Sequence, residues 1–156
     1  MTLLAAGQGW ANDQDLRSQI EARMPDLNAF VRLVTDYKST EFPKVVIKTP
    51  EELNKIFYRE HYDGQDKRCD IGCVKALAYD GAIFMGTDFM PGRDDFILVH
   101  ELVHFQQFAA GKGDQCPGSL EPEAYAVQDK FVTATGRGMK SDPMTVMLLA
   151  ASCSGF

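Results

Sequence analysis

The chain has 156 residues, 45% of them hydrophobic and 24% charged, with a net charge of -6 and a pI near 5.0. That is enough chain for one domain with a real core. The acidic balance, with no overriding cluster of Lys and Arg, argues against a nucleic-acid-binding surface. No apolar run is long enough to span a membrane.

Residues Met1 to Ala11 are small and apolar without Lys or Arg, and Gly9-Trp10-Ala11 has the small-x-small form of a signal-peptidase site. The stretch is expected to be an N-terminal arm or a signal-peptide remnant, ahead of a single domain over 12–156. Asn12 to Met24 and Asp26 to Lys38 carry apolar residues at helical spacing, interrupted by Pro25. They predict one kinked helix or two consecutive ones. Lys44-Val-Val-Ile-Lys48 is β-branched and predicts a strand. Thr49-Pro50-Glu51-Glu52 then opens a helix, with Thr49 as N-cap and Glu52 closing a capping box. His61 to Cys73 is polar and predicts a loop. Val74–Tyr79 and Ala82–Gly86 flank Asp80-Gly81, a strong hairpin signal.

The next helix carries His100-Glu101-Leu102-Val103-His104, an H-E-x-x-H pattern, with Asp94 or Asp95 as cap and Gly111 at its stop. Residues four apart share a helix face, so both imidazoles can reach one metal ion while Glu101 holds a water beside it. Phe96, Phe105 and Phe108, with Leu98, Leu102 and Val103, are expected to seat this helix. A further helix is expected from Leu120 to Thr135, capped by Ser119 and ended by Gly136-Arg-Gly138. Asp142-Pro143 opens a last one through about Ala151. Met139, Met144 and Met147 are assigned to the core. Four cysteines suit two disulfides in an oxidising compartment: Cys69 with Cys73, and Cys116 with Cys153.

Catalytic zinc generally keeps three protein ligands and an open position. No His follows His104, and Asp114 is the only Asp before the next helix, so a glutamate, Glu121 or Glu123, is the expected third ligand. His-Glu-Leu-Val-His followed by Glu-Ala-Tyr-Ala resembles the gluzincin group of zincin metallopeptidases, over residues 76 to 132. In that group a glutamate on the following helix completes the site, with a small residue three positions on. Glu123 with Ala126 and Glu121 with Ala124 both match, and Glu123 is preferred as lying further inside the expected helix.

The resemblance implies an α+β, minimal zincin-like fold whose edge strand beside the active-site helix would be Ala82–Gly86. It implies a Zn2+-dependent peptidase with His100, His104 and Glu123 as metal ligands and Glu101 as general base. Tyr125 is the first candidate for oxyanion donor, with Tyr79 and His61 behind it. The group often has an Asp four residues after the ligand glutamate, where this chain has Val127. Support for the ligand histidines is therefore expected from Gln107, Gln128, Asp94 or Asp95. A monomer acting on a peptide or protein substrate, secreted or periplasmic, is expected. The rival is a zincin-like domain that binds zinc without catalysis.

Overall fold

A computed structural model describes residues 6–61 and 74–153. Its elements, in chain order, are α1 (Ala6–Val34), β1 (Lys44–Lys48), α2 (Pro50–His61), β2 (Ala76–Tyr79), β3 (Ala82–Gly86), α3 (Asp95–Ala109), α4 (Pro117–Thr135) and α5 (Pro143–Ala151). Among the described residues the fold is α+β, five helices with a three-stranded mixed sheet. No helix among them is long and apolar enough to cross a membrane. α1 runs unbroken through Pro25 and takes in residues 6–11 of the expected arm. The expected Cys69–Cys73 pairing lies outside the described residues.

Local rules account for most boundaries. Thr49 and Glu52 form the reciprocal capping box: each backbone N–H donates to the other's side chain, at 2.9 and 3.2 Å. Asp80 and Gly81 take φ of 48° and 72°, the left-handed pair that a two-residue hairpin demands. α3 ends in a Schellman motif, with Lys112 N–H donating to Gln107 C=O and Gly111 N–H to Phe108 C=O. Asp94 holds the N-cap position of α3 but makes no side-chain cap bond. Its carboxylate instead accepts from Met90 N–H and from Arg93. α4 starts earlier than expected, because Pro117 occupies the first helical position behind Cys116. Ser119 is thus inside the helix, donating its hydroxyl to Cys116 C=O.

The sheet order is β1-β3-β2, with β1 parallel and β2 antiparallel to β3. The expected edge strand, Ala82–Gly86, is therefore the central one. Val45 and Ile47 bury their side chains in the core, so the parallel partner β1 covers the β3 edge that a hairpin alone would leave open. The edge strand packed beside α3 is β2. Gly86 N–H donates to Lys75 C=O at 2.9 Å. The antiparallel alternation then turns the backbone groups of Leu77 and Tyr79 toward β3, and those of Ala76 and Ala78 away from the sheet.

α3 forms the centre of the core. Leu98, Val99, Leu102 and Val103 are fully buried, each worth about 1.5–3 kcal/mol of hydrophobic stabilisation. They meet Ile20, Met24, Leu27 and Val31 of α1 and Ala124, Val127 and Phe131 of α4. Phe105 is buried, with Phe96 and Phe108 packed at the rim of the cluster. Arg23 clamps Asp95 through two hydrogen bonds, tying α1 to the first turn of α3.

The Cys116–Cys153 disulfide joins the start of α4 to the end of α5. Gly118 permits this approach, because a Cβ there would strike the Leu149 carbonyl oxygen. No residue of α5 is buried, and Met139, Met144 and Met147 are 72%, 57% and 56% exposed, not core as expected. Among the described residues helix α5 packs chiefly on α4. The disulfide adds a covalent restraint to the packing of α5 on α4. Cys153→Ser should lower unfolding stability by about 2–4 kcal/mol. Amide exchange should rise first in α5 while α3 stays protected; equal loss of protection in both would contradict this.

Candidate metal centre

His100 and His104 lie one turn apart on α3, and Glu121 and Tyr125 one turn apart on α4. The close packing of these two helices brings the pairs face to face. The Nε2 atoms of the two imidazoles are 3.1 Å apart. Glu121 offers one carboxylate oxygen 3.2 Å from His100 Nε2 and the other 3.4 Å from His104 Nε2. Both histidines are 8% exposed. Among the described residues this is the one cluster of three ligand-type side chains able to hold a metal ion.

Glu123, the expected third ligand, is not in it. Two residues along a helix is a turn of about 200°, so Glu121 and Glu123 face different ways. Glu123 instead accepts from the Tyr37 hydroxyl at 2.6 Å, Gln107 Nε2 at 2.9 Å and Lys112 Nζ at 3.3 Å. The earlier start of α4 supplies the reason: Glu121 already lies beyond the first turn. Pro117 directly after Cys116 is the local signal for that earlier start, though it does not say which glutamate faces the imidazoles. Ala124, three residues after Glu121, is fully buried against the core.

The other sequence candidates divide clearly. Gln107 is fully buried, and its Oε1 lies 2.8 Å from His104 Nδ1. Gln128 donates to Met139 C=O, while Asp94 and Asp95 serve the loop and helix start before α3, so these three support neither imidazole. Glu101 is buried, and its carboxylate accepts from Ala78 N–H, one of the outward-turned groups of β2. Tyr125 sets its ring edge-on to His100, with centroids 4.4 Å apart. Tyr79 ends β2 at the surface, 41% exposed. His61 ends α2, and its side chain lies outside the described residues.

The electrostatics follow from burial and proximity. Desolvation pushes the Glu101 carboxyl above its ordinary range, against the opposing pull of both imidazoles. Burial alone would depress His104, but its hydrogen bond to the Glu121 carboxylate and the charge of Glu101 outweigh that and raise its pKa to about 9. Glu121, despite desolvation, is held down at about 2 by its bonds to the two histidines. Burial beside the Glu121 and Glu101 charges pushes the Tyr125 hydroxyl up to about 12, so it is a protonated donor at neutral pH.

This donor set fits a divalent metal of the zinc type. Two imidazole nitrogens and an ionised carboxylate converge, and as three ligands they would leave a coordination position open. The second ring nitrogen of His104 is already bonded, as is common for ligand histidines, whereas that of His100 has no partner among the described residues.

The fold and site together define an α+β protein with a His-His-Glu cluster, its histidines buried and its glutamate half-buried, between two packed helices. The chain belongs to the family described as Domain of unknown function (DUF6647), whose model matches residues 18–155. No curated protein and no solved structure matches it.

Proposed function

We propose that this protein is a zinc-dependent peptidase of minimal zincin type, with His100, His104 and Glu121 as ligands. The observation that carries the proposal is the convergence of both Nε2 atoms and the Glu121 carboxylate within 3.4 Å. Held by His100, His104 and Glu121, zinc would supply a Lewis acid able to lower the pKa of water toward about 7 and polarise a carbonyl. Glu101 takes the proton from the attacking water and passes it to the leaving amine. Burial makes it a stronger base than an exposed carboxylate, and the Ala78 N–H keeps it aimed. The outward backbone groups of Ala76 and the outward carbonyl of Ala78, whose N–H is taken by Glu101, give an extended peptide an edge to pair with.

Tyr125, protonated and beside His100, is the donor for the developing oxyanion. Tyr125→Phe should lower kcat by about 10–1000-fold with zinc still bound; unchanged kcat would reject that role. The Cys116–Cys153 disulfide favours an oxidising, secreted or periplasmic setting.

The test of the whole proposal is zinc stoichiometry followed by peptide-library cleavage. One zinc per chain with cleavage supports it. Zinc without cleavage of any peptide would make the protein a zinc-binding domain instead, and failure to retain zinc would overturn both readings.

A further inference from the structure

We propose that Gln107, held by Glu123, is a positioning residue that fixes His104 as the Nδ1–H tautomer and so presents its Nε2 lone pair to the site. The consequence for zinc rests on the function proposed above, while the geometry stands on its own. A glutamine amide has one accepting and one donating end. Here the donating end is pinned: Nε2 lies 3.0 Å from the Leu120 carbonyl and 2.9 Å from the Glu123 carboxylate, both acceptors. A flipped amide would press its oxygen against two other oxygens. Oε1 is therefore the atom facing His104 Nδ1 at 2.8 Å, and an acceptor there requires a proton on Nδ1. A neutral imidazole has only one proton, so Nε2 is left with its lone pair. Nε2 is also the atom that faces His100 and Glu121.

Glu123 is itself anchored by Tyr37 and Lys112, so the restraint on His104 reaches out to the protein surface. His100 has no matching support: its Nδ1 is buried and meets no hydrogen-bond partner among the described residues. The imidazole pair is thus oriented through His104. This gives the carboxylate first expected to be a ligand a different task, two bonds removed from the metal position.

Two measurements test this: zinc affinity by chelator competition, and the ring-nitrogen state of His104 by proton–nitrogen NMR of metal-free protein. The spectra are recorded at alkaline pH, once the ring is observed to be neutral. The wild type should show Nδ1–H. Gln107→Leu should weaken zinc binding by about 10–100-fold and mix the tautomers. Gln107→Glu keeps an acceptor against Nδ1 and should recover most of the affinity. A packing role alone predicts the reverse order, because Leu suits a buried site and a second carboxylate beside Glu123 does not. Should Gln107→Leu fail to fold, Glu123→Ala serves instead, with a loss below about tenfold and partly mixed tautomers, since Leu120 still holds the amide. An Nε2–H tautomer in the wild type, or wild-type zinc affinity in Gln107→Leu, overturns the proposal. Absence of zinc binding in the wild type would sink the peptidase reading, and the tautomer alone would then decide this inference.

Discussion

Replacing Glu101 with Gln should abolish detectable peptide hydrolysis, a loss of about 100–10,000-fold in kcat, while zinc stays bound. The amide cannot take a proton from water, but it keeps an oxygen to accept from Ala78 N–H. It also removes the cost of holding a carboxylate in a buried site, so Tm should stay level or rise. The pattern to look for is therefore activity lost, zinc retained and stability undiminished. Peptide turnover, metal content and thermal unfolding of the same preparation check it. Cleavage that survives Glu101→Gln would assign the activity to another mechanism or to a contaminant.

The second large effect separates two glutamates that sit only two positions apart. Glu121→Gln should weaken zinc binding by more than about 100-fold, beyond the range of outer partners, because it removes the one anionic donor of the set. Glu123→Gln should stay within about tenfold. The metal-free proteins should differ in pH dependence as well. His104 has a folded pKa of about 9 against 6.5 unfolded, so its contribution is full below 6.5 and fades as pH rises through 9. Glu121, at about 2 against 4.5, contributes above 4.5 and loses that as pH falls through 2. The stability gap between wild type and Glu121→Gln should thus be widest between pH 4.5 and 6.5 and shrink toward pH 9. Denaturant unfolding across that range checks it, and a gap independent of pH would contradict the ion pair.

Elements governed by short-range rules were legible in the chain. The Lys44–Lys48 strand, the Thr49 capping box, the Asp80-Gly81 turn and the Asp142 cap all follow from residues within four positions of one another. So does the spacing of His100 and His104, which any helix would place on one face. What failed depended on distant partners. The Tyr37–Glu123 bond spans 86 positions in the chain, and nothing near Glu123 announces it. The central place of β3 depends on β1, which arrives from before α2. The methionines of the C-terminal segment look like core residues until α5 is seen to pack chiefly on α4, with no residue buried.

By itself, then, the sequence determined a helix with two imidazoles on one face, a carboxylate next to the first of them, and a later helix bearing two glutamates and a tyrosine. These are properties of helical period and capping, which act within a turn. The tertiary structure decided which glutamate meets the imidazoles, which strand lies at the edge beside Glu101, and that Gln107 and Glu123 support His104 from behind. The physical reason is that the rotation of α4 against α3 sets which of its faces looks inward. That rotation is fixed by packing and by contacts between residues far apart in the chain, which no local pattern encodes.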